Sequence, residues 1–343
     1  MQQAPLLTMA LPAHRHAPGA WRVAATMAMA AMVLAGCTAA LQEASRGNVP
    51  NPAIPEGDIR LGPPRTVLGG FLAPPGAAFG VPVSPGSGVF VKLVAPTSIA
   101  LGGNDLLIVD SGRGRVWRAD LGFNTLSEVS GASAAPGTVV ALGPDLAAWV
   151  LDGVARQVQR VGRDGRLLQT FRASSSAPAP VGFALADGGA TLLLADAALR
   201  QWVEFRSVGA FATGVAPRTA DDSGLRGVDG IAVARDTVYL LDRSAAVVHV
   251  VRRDGQVQGR LGAGELKQPV AIAADRAGRV FVHDAQDNSV KLLRAGAPAQ
   301  VFDAAQLRVQ VIGAIAADER SLAVADRLTG QVVIHPLLGA GRP

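Results

Sequence analysis

The chain has 343 residues, of which 49 % are hydrophobic and 4 % aromatic, a composition that suits a globular body. Its 32 basic and 27 acidic residues leave a formal charge of +5 without any dense basic run, which argues against nucleic-acid binding. A single cysteine excludes an intrachain disulfide and a cysteine metal set, and five methionines that all fall at or before Met32 exclude a methionine-rich binding surface.

Residues 1–36 read as a secretion signal. Arg15 and Arg22 form a positive n-region, and Val23 to Leu34 is an uncharged apolar run of 12 residues. Such a run is too short to cross a bilayer as a helix, which takes roughly 20 residues, and has the length of a signal-peptide hydrophobic region. It ends in Leu34-Ala35-Gly36-Cys37, which resembles the lipobox of bacterial lipoproteins: Leu, two small residues, then Cys. That resemblance implies cleavage before Cys37, lipidation of its thiol and acylation of the new amino terminus. The result is a membrane anchor in which each buried CH₂ contributes about 0.8 kcal/mol. With Thr38 rather than Asp after the cysteine, the resemblance also implies transfer to the outer membrane. Cleavage removes two arginines, so 30 basic residues face 27 acidic ones in the mature chain.

Residues 37–88 follow as the lipidated cysteine and a Pro/Gly-rich linker. Nine prolines between Pro50 and Pro85 interrupt every candidate helix. Each fixes φ and removes a donor, so the segment is expected to be an extended or irregular spacer. Leu61, Val67, Leu68, Phe71 and Leu72 offer partial packing against the body.

From Val89 onward a period appears. Asp110, Asp152, Asp196, Asp242, Asp284 and Asp326 recur at spacings of 42, 44, 46, 42 and 42 residues. A fixed period of this size marks a propeller or a solenoid. Each unit opens on a short apolar strand, often after proline, as in Pro96–Leu101 and Pro269–Ala273. A Gly/Asn/Asp-rich turn follows, and then a second strand that ends on the aspartate, such as Leu106–Val109 or Val238–Leu241. A third strand begins six residues after each aspartate, with Val116, Val158, Trp202, Val248, Val290 and Val332 as its first apolar residue. Asp164-Gly165 and Asp254-Gly255 predict hairpins into fourth strands over Arg166–Phe171 and Gln256–Leu261.

Four short antiparallel strands per unit describe a propeller blade, and stacking of neighbours is what buries its two faces. The fold class is all-β, a six-bladed β-propeller over residues 89–343. The sixth unit runs out at its third strand, Val332–Ile334. Residues 89–94 are therefore expected to return as the outer strand of the last blade, an N-terminal strand that closes the ring and removes an exposed edge.

The phrase Asp110-Ser-Gly-Arg-Gly-Arg115-Val116 resembles the NHL repeat, in which Asp, a Gly-containing turn, Arg and a β-branched residue recur. The fifth unit (Asp284 to Val290) is a fair match, and the other four keep the Asp and the later apolar residue. The resemblance covers most of the mature chain and implies a six-bladed NHL-like propeller. It implies no single activity, because that fold hosts lyases, lactonases, sensors and scaffolds.

Groups capable of chemistry are sparse. A carboxylate that ends a strand before a tight turn accepts backbone N–H bonds, so the six aspartates read as structural turn residues rather than metal ligands. His249, His283 and His335, the histidines left after cleavage, stand seven after, one before and nine after their aspartates. They share no blade position and do not predict a zinc site. Resemblance to gluconolactonase-like propellers would imply an acidic-and-amide metal cluster at the channel mouth. Only Asn104, Asn124 and Asn288 lie beyond the linker, so that cluster is hard to assemble. There is no Gly-x-Ser-x-Gly elbow, P-loop or dinucleotide glycine motif. Asp221-Asp222 reads as a solvated loop pair. Two long loops, Leu121–Pro136 and Ser207–Arg226, offer Phe123, Phe211, Arg218 and Arg226 as parts of a partner surface.

No catalytic, cofactor-binding or metal-binding residue is assigned, and no cofactor is expected. The reading favours a non-enzymatic binding or scaffold module in the bacterial envelope, held to the membrane at Cys37, with a protein or glycan partner and no nucleic acid. The alternative is a lactonase- or lyase-type propeller enzyme that needs a divalent metal in its channel.

Overall fold

The computed structural model describes residues 58–73, 88–173, 177–208, 211–214, 218–219 and 224–339. Cys37, the signal region and the Asp221-Asp222 pair lie outside the described residues. Among the described residues there is no α-helix, only a 3₁₀ turn at Asp187–Gly189.

Each repeat folds as one antiparallel sheet. The first blade runs, from the axis outward, Pro96–Gly102, Asp105–Asp110, Arg115–Asp120 and Thr125–Ser133. The second runs Val139–Leu142, Ala148–Asp152, Gln157–Val161 and Leu167–Arg172. The inner three strands of the remaining blades begin at Pro180, Thr191 and Gln201, at Gly230, Thr237 and Val247, at Pro269, Val280 and Ser289, and at Ile312, Ser321 and Gln331. The six innermost strands neighbour one another in a ring, which closes where Ile312–Ala317 meets Pro96–Gly102.

Packing explains why the second strands read as unbroken apolar runs. A strand between two blades buries both faces, so its residues need not alternate with polar ones. Leu106 and Ile108 enter the apolar cluster shared with the sixth blade, while Leu107 and Val109 enter the one shared with the second. The described residues form six such clusters, one for each interface between neighbouring blades. The residue six places after each aspartate is 0 % exposed in all six blades, so this single position anchors every interface. Small side chains such as Ala314, Ala316, Ala323 and Ala325 let the sixth and first blades converge.

Ring closure differs from the sequence expectation: residues 89–94 do not complete the last blade. Its outer edge is supplied by Arg60–Leu61, paired with Leu337–Leu338, and by Arg65–Val67, paired with Val332–Ile334. Between the two pairings the Gly62 N–H donates to the Pro336 carbonyl at 2.7 Å. Pro63 and Pro64 sit in the gap, where an outermost strand tolerates missing donors. Phe90–Lys92 pairs instead with Gly69–Phe71, and Phe71-Leu72 runs parallel to Thr125-Leu126, so the first blade has six strands. Gly69 makes this possible: a Cβ there would lie 2.0 Å from the Val91 carbonyl oxygen. Residues 60–72 of the expected spacer thus belong to the propeller. Most of the expected loop Leu121–Pro136 is the outer strand Thr125–Ser133.

Candidate functional site

The six innermost strands enclose a channel of about 1130 Å³. The side chains of its wall are mostly apolar, with Leu101, Ala141, Phe183, Ile231, Ala273 and Ile315 each contributed by a different blade. Charged groups stand only near the ends: Asp229 at the end where the repeat aspartates lie, and Asp275, Arg276, Asp318 and Glu319 at the other. Most of these rim groups are bonded. Arg279 is buried against Asp275 and donates to the Glu319 carbonyl at 2.7 Å, tying the fifth blade to the sixth. Arg276 faces Glu319 at 3.7 Å. Burial pushes the Asp318 carboxyl above the usual carboxylate range, although the Arg320 and Ser321 N–H groups donate to it at 2.8 and 2.7 Å. Aliphatic side chains and polar backbone and rim groups share the lining of this concave space about equally, so it is not a predominantly apolar pocket.

The repeat aspartates face into the scaffold. Asp326 accepts from Leu328 N–H in its own turn at 2.9 Å and from Gln310 N–H, sixteen residues back, at 2.7 Å. Asp242 likewise accepts from Ala245 at 2.9 Å and Arg226 at 2.7 Å, and Asp196 from Leu199 at 2.8 Å and Ala179 at 2.5 Å. Asp110 reaches back to Val94 and Ala95 at 3.0 and 2.9 Å, and Asp284 to Lys267 and Gln268 at 2.8 and 2.9 Å. Asp152 accepts from Val154 and Ala155 at 2.9 and 2.8 Å. The backward bonds of the other five aspartates clamp the segment that enters their blade, a role the sequence reading missed because the donors are plain backbone. Burial opposes the charge of Asp242, Asp284 and Asp326, but these donors, with Lys291 at Asp284, outweigh it and hold all three below the usual range.

The histidines stay apart. His249 is fully buried with Nε2 3.2 Å from Asp242, and burial lowers its pKa against the pull of that carboxylate. His335 Nε2 lies 3.0 Å from the Leu307 carbonyl, to which it donates. His283 is buried at the end of a second strand, and burial pushes it down to about 4. Among the described residues, no three His, Cys, Asp or Glu side chains converge as metal ligands. The proposed partner-surface residues do not gather either. Phe123 is exposed in the turn after Asp120, whereas Arg226 lies beside Asp242 at the opposite end of the propeller. The side chains of Phe211 and Arg218 lie outside the described residues.

No protein-family model matches the chain, and no curated protein matches it. Solved structures do match in fold. A protein of unknown function from Bacteroides thetaiotaomicron superposes with a TM-score of 0.55 at 12 % identity, over 82 % of this chain and 76 % of that one. A catalytically inactive virginiamycin B lyase from Staphylococcus aureus with quinupristin gives 0.53 at 9 % identity, over 82 % and 100 %. The β-propeller domain of Cps50 (Swd1) from Myceliophteria thermophila gives 0.52 at 12 % identity, over 72 % and 97 %. At these identities the likeness is one of architecture: this chain carries a six-bladed β-propeller.

Proposed function

We propose that this chain is a lipid-anchored, NHL-like propeller that serves the bacterial envelope as a non-enzymatic binding or scaffold module for a protein or glycan. The reading is carried by how the described polar groups are used. The six repeat aspartates, His249, His335 and Arg279 are each bonded inside the scaffold, and the side chains of the channel wall between the charged rims are mostly apolar. Anchoring rests on the lipobox at Cys37, and the NHL reading on the phrase Asp110 to Val116. A mild-detergent pull-down from native envelope tests it, with co-purification of a stoichiometric partner expected. Recovery as a lone monomer counts against a scaffold.

The rival reading, a lactonase- or lyase-type enzyme, requires a divalent metal in the channel. Elemental analysis of purified protein separates the two. Calcium or zinc at one equivalent that survives dialysis reverses their order.

A further inference from the structure

The propeller gathers at one end cations that the sequence scatters more than forty residues apart. The turns between second and third strands all lie at the repeat-aspartate end, as the pairings of Pro96 with Asp110, Pro269 with Asp284 and Ile312 with Asp326 establish. Arg156 and Arg200 each occupy the fourth place after their aspartate, and Arg243 and Arg327 the first; all four are exposed. Among the described residues, none of the four has a carboxylate within ion-pair distance.

Among the described residues most acids at this end are engaged: the repeat aspartates face inward, Asp229 accepts from the Arg243 N–H at 2.9 Å, Asp287 pairs with Lys291 at 2.8 Å, and the exposed Asp303 accepts from the Gln306 N–H at 2.8 Å. At the opposite end some cations are matched, with Arg160 meeting Asp145 at 2.6 Å and Arg253 meeting Asp187 at 2.7 Å, whereas Arg166, Arg206, Arg235 and Arg320 are exposed there without an ion pair among the described residues. Three turns on the basic end also expose an aliphatic side chain beside or near the arginine. They are Val154 at 71 %, Leu199 at 45 % and Leu328 at 64 % exposure. Nothing in the turn geometry calls for an aliphatic tip, and the tips belong to three different blades.

We propose that this end of the propeller docks on an anionic lipid bilayer. The guanidinium groups meet headgroup phosphates, and Val154, Leu199 and Leu328 enter the headgroup–acyl boundary. Arginine makes strong charge-assisted bonds to phosphate, and basic groups near an anionic leaflet are attracted within a Debye length. Interfacial binding grows with the apolar area buried beside that charge, and separate tips on a rigid ring contribute without any loss of fold. A soluble polyanion would use the arginines and leave the tips in water. The inference does not depend on lipidation of Cys37, because the face is defined by the blades.

The test uses the full chain with Cys37→Ser, so that one engineered cysteine carries an environment-sensitive dye. Leu328→Cys reports the basic end and Arg276→Cys the opposite one. With phosphatidylglycerol-containing vesicles the dye at 328 is expected to shift to the blue, and high salt to reverse the shift. The dye at 276 and pure phosphatidylcholine vesicles should give no shift. Arg156→Glu, Arg200→Glu, Arg243→Glu and Arg327→Glu together should abolish the response at 328, with an unchanged thermal melt as the control for folding. A dye at 328 that stays water-like, or a shift that survives the four reversals, overturns the proposal. A response to dextran sulfate without one to vesicles overturns it in favour of a soluble polyanion.

Discussion

Replacing Ile59 and Val67 by alanine should open the ring. Ile59 is 4 % exposed and sits with Phe302, Leu307 and Leu337 between the fifth and sixth blades. Its backbone also exchanges two bonds with the Gln300 side chain, at 3.0 and 2.6 Å. Val67 is 6 % exposed and packs with Leu93, Val332 and Ile334 between the sixth and first. A buried Ile→Ala change costs 2–5 kcal/mol, and a peripheral strand can relax, so about 3 kcal/mol is expected for Ile59→Ala. Two methyl groups lost at Val67 add about 1.6 kcal/mol at ~0.8 kcal/mol each. The residues lie in separate clusters, so the costs should add to about 5 kcal/mol, a large part of a typical 5–15 kcal/mol stability. At roughly 2–4 °C per kcal/mol, the double variant should melt about 10–20 °C lower. Phe90→Ala is the control, since Phe90 is 46 % exposed and makes only an edge contact with Phe71; it should cost about 1 kcal/mol. Thermal and urea melts followed by tryptophan fluorescence read all three. If Phe90→Ala proves as costly as the double variant, closure by residues 59–67 is wrong and the 89–94 strand regains that role.

Acid should act first through the buried histidines, His249 and, with the larger shift, His283. The His283 pKa falls from an ordinary 6.5 to about 4 on folding because burial disfavours the charged ring. The unfolded chain then binds the extra proton, so this stability is complete above pH 6.5 and is lost as pH falls toward 4, amounting to about 3 kcal/mol at most. Urea melts at pH 7 and 5 measure it, and a slope unchanged in His283→Leu would sink the assignment. Below pH 4 a second loss should follow as the carboxylates of Asp242, Asp284 and Asp326, held low in the fold, take up protons. Asp326→Ala orphans the Gln310 and Leu328 donors and should cost about 2–3 kcal/mol at neutral pH, with the cost shrinking as pH falls below the ordinary carboxylate value of 3.8 if the linkage is right. Cys37→Ser should abolish lipid modification and release the protein from the detergent phase; normal processing and wild-type partitioning of the variant would exclude a lipoprotein.

The blades were legible because their repeat is written in side chains. An aspartate every forty-odd residues and an apolar residue six places later mark the second and third strands. Those strands are buried on both faces, where the demand on residue type is strongest. Closure was not legible, for the opposite reason. Val89 to Val94 looks like a strand and Gly62-Pro63-Pro64 does not, yet an outermost strand needs only one paired edge and tolerates proline beside it. Hydrophobic pattern scores how well a segment forms a strand, not which edge stands vacant.

The candidate surfaces follow the same logic one level up. In every blade the residue four places after the aspartate is left-handed, with φ between 50° and 71° at Gly114, Arg156, Arg200, Ala246, Asn288 and Gly330. Glycine or asparagine meets that demand most cheaply, so an arginine there is a choice the turn does not require. Read along the chain, Arg156 and Arg200 are lone cations in a sequence of small net charge. Read around the ring, they occupy one position of one face, joined there by Arg243 and Arg327. A repeat architecture converts a period in sequence into a plane in space. Charge in such a protein is therefore better counted per blade position than per stretch of chain, and on that count arginines that stand alone in the linear sequence share one face.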